Sequence, residues 1–445
     1  MMIRLGTVLA LYLLNLPFAD SLFVVGLSLP LFAIVIVGLG RLRSRDFQIG
    51  DIFWFCLFIY FVISPLQRIH GDRIGGATAI TAYAYDPAEY ALAMLVVVVF
   101  AFPFLFVSMQ SDEQPVGTDV RPAIPFILFL NVVAFILFAM SEGGFERLLS
   151  SRLEQDGSQP FIASMLFLAV QSASACLVAA YCRLSPRRLT AVSMLLLVLV
   201  LLAVARNPFN APRFVLLAVW GPVFLALAGG KLSAAKFYLC GLVALTILFP
   251  ILNITTRSGL EGLQDLSQVS VVGNFFDIPS VDVFDMAVHS VRYMSTHDLM
   301  WGEKLTAVVL FFVPRAVWPG KPIVGGLDIG NDLFAAGMYG TPNLSLFLGC
   351  DFYMDFGFVG VVLGGFACAF LLGAMIRFNQ DRFFGVRVLQ FFIAASLPIL
   401  LRGPVGAVLP LFLCQLFVAK LLSVSLRRFV QPPAQLAAVR AWRRW

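Results

Sequence analysis

The sequence predicts an all-α, polytopic membrane protein of about 12 spanning helices, and three observations lead there. Sixty per cent of its 445 residues are hydrophobic and 13% are charged, against about 25% charged in soluble domains. Apolar runs of spanning length recur along most of the chain. Arg and Lys concentrate in alternate connecting loops. So few polar side chains do not cover a water-facing surface. That excludes an ordinary soluble enzyme and, despite a formal net charge of +6, a nucleic-acid partner.

In chain order the apolar runs fall at 5–19, 21–40, 51–66, 88–109, 122–140, 161–181, 189–205, 213–229, 237–252, 357–375, 389–401 and 405–423. The first follows Arg4 without a small-residue cleavage site, so it reads as a retained helix rather than a signal peptide. With the N-terminus inside, Arg41, Arg43 and Arg45 fall in the cytoplasm. So do Arg183, Arg187, Arg188, Lys231, Lys236, Arg377, Arg382, Arg387, Arg427, Arg428 and the Arg440–Arg444 tail. Only the 110–121 loop, with Arg121 alone, is weakly basic. The pattern predicts an even number of spans with both termini cytoplasmic. It divides the chain into an N-terminal bundle at 1–252, a large external loop with short helices at 253–356, three further spans at 357–424 and a cytoplasmic tail at 425–445.

The external loop carries 11 of the 25 acidic residues and two of the three His. A connection of that length on a compact bundle predicts function. The seven Cys have no paired spacing and read as small core hydrophobes. The three His form no His/Cys cluster, so no metal site is expected.

Of the 31 basic residues five are Lys, which leaves 26 Arg. The topology places Arg206, Arg213, Arg257, Arg315, Lys321 and Arg402 near the external interface, where the orientation rule gives them no reason to be. One Arg at a helix end is an ordinary headgroup anchor. A cluster of planar, bidentate cations suits a diphosphate. A second group, Asp282, Asp285, His289 and Arg292, recurs at spacings of three, four and three behind the candidate N-cap Ser280, and so shares one helical face. That face is either solvated or turned toward the Arg cluster. In the second case Asp285 and His289 are candidates to take a proton from a hydroxyl. A third stretch, Asn343-Leu344-Ser345 to Asp351-Phe352-Tyr353-Met354-Asp355, offers hydrogen bonds and flat rings of the kind sugars use, although Tyr and Trp are also ordinary interface anchors.

The order of these features resembles the Wzy-type oligosaccharide-repeat-unit (O-antigen) polymerases over roughly residues 190–425. Pro314-Arg315-Ala316-Val317-Trp318-Pro319-Gly320-Lys321-Pro322 is similar to the family's Pro-Arg/Ser-x-x-Trp-Pro-x-Lys/Arg-Pro stretch. Arg213 at a span start, Asp351–Gly357 before the next span and Arg402-Gly403 between the last two are further similar parts. The resemblance implies a GT-C-like glycosyltransferase of the bacterial inner membrane with a large periplasmic loop. It would move a growing glycan from undecaprenyl diphosphate onto a lipid-linked repeat unit. Donor-diphosphate binding carries over to Arg213, Arg315 and Arg402, with Arg206, Arg257 and Lys321 as further choices. Arg315 is the expected catalytic cation, with Asp285 or His289 as the base on the residues' own account. Asp282, Arg292, Tyr293, Trp318, Asn343, Asp351 and Tyr353 are candidate sugar contacts. The chain lacks a DxD motif, which agrees with a metal-independent transfer without cofactor. Membrane lipids, a chain-length-regulating co-polymerase and a flippase are the implied partners. Alternatives from the residues are the related O-antigen ligase, which relies on a loop His such as His289 or His297, and a lipid-linked sugar transporter.

Overall fold

The computed structural model describes residues 2–70, 73–74, 83–110, 123–145, 148, 161–184, 188–207, 213–228, 232–244, 282–314, 317–322, 326–340, 344, 346–378, 388–403 and 405–426. Helices make up 82% of them. Among the described residues six helices are long and apolar enough to cross a membrane: Leu22–Gly40, Ile49–Arg68, Pro87–Phe106, Ile124–Ser141, Ala163–Cys182 and Leu348–Phe378. Six shorter apolar helices are Met2–Phe18, Leu189–Ala205, Val215–Ala228, Ala234–Val243, Val388–Arg402 and Val408–Leu422. Each expected run coincides with one of these helices, the ninth only as far as Ala244. The tail beyond Leu426 lies outside the described residues.

In chain order the elements are α1 (Met2–Asn15), α2 (Leu22–Gly40), α3 (Ile49–Phe58), α4 (Ser64–Arg68), α5 (Pro87–Ala101), α6 (Ile124–Ser141), α7 (Phe161–Leu184), α8 (Arg188–Ala205), α9 (Arg213–Ala228) and α10 (Ala234–Val243). After them come α11 (Val283–Thr296), α12 (Glu303–Val309), α13 (Leu327–Ala335), α14 (Leu348–Phe378), α15 (Val388–Arg402) and α16 (Val405–Leu426). One π-helical turn, Ile59–Ile63, joins α3 to α4. A small antiparallel sheet of β1 (Ile69–His70), β2 (Arg73–Ile74) and β3 (Tyr83–Ala84) pairs His70 with Arg73 and Arg73 with Ala84.

Apolar packing forms two clusters. One joins α1–α5, α10, α11, α13 and α14, and the other joins α6–α9. α15 and α16 contribute to both, through Ile393, Leu401 and Phe412 to the first and Leu389, Phe392 and Val408 to the second. Between apolar helices, interhelical hydrogen bonds supply contact that hydrophobicity does not. The Asn131 amide donates to the Ser174 Oγ at 2.6 Å, and the Gln415 amide to the Ala218 carbonyl at 2.9 Å.

Polar contacts sort the helix ends into two opposed faces. At one face Arg4, at the start of α1, donates to both Asp51 oxygens (2.6 and 2.9 Å) and to the carbonyls of Leu42 and Asp46. The Tyr238 hydroxyl of α10 also reaches Asp51. Asp51 in turn accepts from the Gln48 N–H and so caps α3. At the other face lie the ends of α4 and α15 and the starts of α5 and α11, described below.

α14 carries a break that the sequence analysis placed as a span boundary. Gly357 has φ +63°, ψ −152° inside Leu348–Phe378. An L-residue there is strained, so glycine ends one helical piece and starts the next. The Asp355 carboxylate before the break accepts from the Lys304 and Leu305 N–H groups and caps α12.

Arg4 and Asp51 are both essentially fully buried. Arg4→Ala leaves an uncompensated carboxylate and costs about 3–5 kcal/mol. Replacing both, Arg4→Met with Asp51→Leu, recovers most of that loss in thermal unfolding of the detergent-solubilised protein. Equal stability of Arg4→Ala and wild type would show that the pair does not hold this face together.

Candidate functional site

The second face gathers charge from distant parts of the chain. α4 ends in Arg68 and α11 begins beside Asp282. Arg68 is 4% exposed and Asp285 is fully buried. The Arg68 Nε lies 3.0 and 2.9 Å from the two Asp285 oxygens, and its terminal nitrogen bonds the same carboxylate. Burial pushes the Asp285 carboxyl up, and the Arg68 fork, whose guanidinium does not release its proton, opposes that rise.

One turn earlier, the buried Asp282 takes the Arg402 guanidinium at 3.3 Å. Arg402 closes α15 and its side chain stays 24% exposed while that of Asp282 is 3% exposed. Gly403 follows at φ +75°, and a Cβ there would collide with the Leu346 carbonyl. Only glycine lets the α15–α16 turn close onto the start of α14 beside Arg402.

His289, one turn beyond Asp285, sits between two tyrosines. Its Nδ1 meets the Tyr85 hydroxyl and its Nε2 the Tyr339 hydroxyl at 3.0 Å. Burial, then the positive charges of Arg292 and Arg68, push its pKa down to about 3, so the ring is neutral. Tyr339 is raised well above the ordinary phenol range, by burial and then by Asp285 and Asp282. Arg292 closes the row. It pairs with Glu89 (2.8 Å from Nε), donates to the Ala84 carbonyl and lies 4.0 Å over the Tyr85 ring. Glu89 completes the capping box of α5 with Asp86.

Several expectations change here. Asp282, Asp285, His289 and Arg292 do share one face of α11, but it is no solvated face: every residue from Val283 to Val291 is buried. The helix lies against α5 and the π turn, so both of its faces have protein neighbours. Ser280 lies outside the described residues, and Asp282 takes the N-cap position instead of the first turn. Asp285 and His289, expected as bases, have their acceptor atoms engaged. Arg292, expected on sugar, holds α11 to α5. Lys321, expected on diphosphate, donates to the carbonyls of Leu310, Phe311 and Val313 and so satisfies the end of α12.

Arg206 stands apart with Glu142 at 3.7 Å and the Phe138 ring at 5.0 Å. Tyr293 stacks on His297 at 3.8 Å, and Trp318 and Tyr353 are half-buried. Asp351 is buried beside Lys304 with neither carboxylate oxygen hydrogen-bonded. Arg257, Arg315 and Asn343 lie outside the described residues, as does the Arg213 side chain. Sequence reasoning missed Arg68, Tyr85, Glu89 and Tyr339. Arg68 was legible as an external cation at a span end; the others carried no signal. No group of three or more His, Cys, Asp or Glu among the described residues could hold a metal ion. No family model matches the chain, and neither does any curated protein or solved structure.

The neutral His289 sets a pH dependence. Its folded pKa lies below the unfolded value of 6.5, so its contribution is whole above 6.5 and is lost as pH falls toward 3. Wild type should lose up to about 1.4 kcal/mol more per pH unit across this window than His289→Gln does. Parallel stability curves for the two proteins would contradict a buried neutral ring.

Proposed function

We propose that the chain is a Wzy-type polymerase of lipid-linked oligosaccharide repeat units. In this reading it is a GT-C-like glycosyltransferase of the bacterial inner membrane, with about 12 spans and both termini cytoplasmic. The Arg68–Arg402 end faces the periplasm. Undecaprenyl-diphosphate-linked glycan is the donor, a second lipid-linked unit is the acceptor, and a chain-length regulator and a flippase are partners.

One observation carries the reading: the part-exposed Arg402 pairs with the buried Asp282 carboxylate at the helix-end face. A donor diphosphate arriving at the membrane edge exchanges with Asp282 for that guanidinium. Arg213, Arg257 and Arg315 extend the cation set on the strength of the resemblance. In the transfer, an acceptor hydroxyl oxygen bonds the anomeric carbon and the bond from that carbon to the diphosphate oxygen breaks. The diphosphate leaves with the electron pair, and arginine stabilises the developing charge. The hydroxyl proton goes to a carboxylate. Asp282, released from Arg402 by the exchange, is the acceptor this geometry favours. Asp285, locked to Arg68, and His289, bonded on both nitrogens, are positioning residues in this scheme.

Among the described residues the buried ion pairs lie at helix ends, Arg4–Asp51 at one face and Arg68–Asp285 with Arg402–Asp282 at the other, which favours transfer over transport. The ligase reading needs an accessible imidazole: His289 is buried, and the exposed His297, stacked on Tyr293, is the loop imidazole that reading would use.

Arg402→Ala and Arg315→Ala should abolish chain extension in cells while the protein stays inserted. Asp282→Asn should slow it by about 100-fold or more. Surface glycan separated by length should show single capped units without long chains. Normal chain lengths in Arg402→Ala would remove the exchange from the mechanism.

A further inference from the structure

We infer that the face opposite the Arg68 cluster carries an anion site that takes a phosphate-bearing group, a phospholipid headgroup or free phosphate. A cavity of about 430 Å³ opens between the end of α2, the first turns of α3 and the chain that follows α5. That volume lies within the range of small-ligand sites, roughly 300–1,000 Å³. Its lining includes Arg41, Arg43, Gly40, Trp54, Phe104 and Gln110 and, among the described residues, contains no Asp or Glu.

The cavity is amphipathic in a way that suits a lipid. Arg41 and Arg43 are exposed, whereas Trp54 and Phe104 are buried and apolar. Gly38 lets the Trp54 ring pack against the end of α2, where a Cβ would collide with it, and the space beside Gly40 is open, with nothing within 4 Å of a Cβ placed there. The walls are tied by hydrogen bonds: the Gln110 side-chain amide donates to the Arg41 carbonyl, and the Gly50 N–H to the Met109 carbonyl. Asp51, the buried acid of this face, is already neutralised by Arg4, so it does not compete for the two guanidiniums. Orientation alone explains why Arg residues sit here, but it does not explain a carboxylate-free cavity behind them. Basic pockets between helix ends are where anionic headgroups bind.

The test uses the full chain purified in a neutral detergent. It is titrated separately with short-chain phosphatidylglycerol, short-chain phosphatidylcholine and inorganic phosphate, and read by the tryptophan fluorescence that Trp54→Phe removes. Two arginines near a headgroup predict about thirtyfold tighter binding of phosphatidylglycerol than of phosphatidylcholine, and a similar loss in Arg41→Gln/Arg43→Gln. Arg45→Gln, outside the lining, keeps full affinity. Inorganic phosphate binding as tightly as the lipid supports the site and assigns its source as soluble. Gly40→Leu, which fills the cavity and leaves both arginines, should also lose binding. Equal affinity for both lipids, or no loss in Arg41→Gln/Arg43→Gln, would overturn the assignment. So would binding that appears only in Asp112→Asn/Glu113→Gln, because the chain's own acidic loop would then fill the cavity. The readout needs no glycan and concerns the opposite face, so its failure is separate from that of the polymerase reading.

Discussion

A charge inside an apolar bundle demands a counter-charge within hydrogen-bond reach, because desolvating one ion costs several kcal/mol that only a close partner offsets. The Arg68–Asp285 pair meets that demand at one end of the molecule, and much of that end depends on it. It fixes the first turn of α11 against the end of α4. With that turn placed, Asp282 reaches Arg402 on α15 and His289 reaches both Tyr85 and Tyr339. Arg292 then ties the far end of the same helical row to Glu89. Segments more than 200 residues apart are joined by three side-chain contacts on one helix face. The Arg4–Asp51 pair does the same work at the opposite end.

The two ion pairs on α11 differ in a way that matters for chemistry. Arg68 and Asp285 are sealed from solvent and doubly bonded, which suits a fixed strut. Arg402 is part-exposed and its contact with Asp282 is longer, at 3.3 Å. A bound anion would have to break the first pair at high cost, but it would only substitute for one carboxylate in the second. Site and strut are therefore adjacent, and the strut keeps Asp282 in place when Arg402 changes partner.

The helices were legible because membrane spans are written in local composition. Gly357 marked a boundary through its neighbours Asp355 and Phe358, and the structure breaks α14 there. The shared face of Asp282, Asp285, His289 and Arg292 was equally legible, since helical periodicity is local. What that face touches was not. Arg68 lies 217 residues from Asp285, and no spacing rule reports such a pair. Tyr85 and Tyr339 looked like any interface tyrosine, and Lys321 looked like a ligand because its Pro-flanked setting does not reveal that helix-end carbonyls already claim its ammonium. A shared helical face is legible from residue type and period; the partners of its side chains, far along the chain, are not.

The central claim is that this charged helix end transfers glycan from a lipid diphosphate. The most direct measurement places the purified protein in nanodiscs with a synthetic undecaprenyl-diphosphate-linked repeat unit and resolves the products by mass. The account predicts a ladder rising by one repeat per step, with one undecaprenyl diphosphate released for each bond formed. Unchanged substrate, or its movement across the bilayer with no new glycosidic bond, would contradict it.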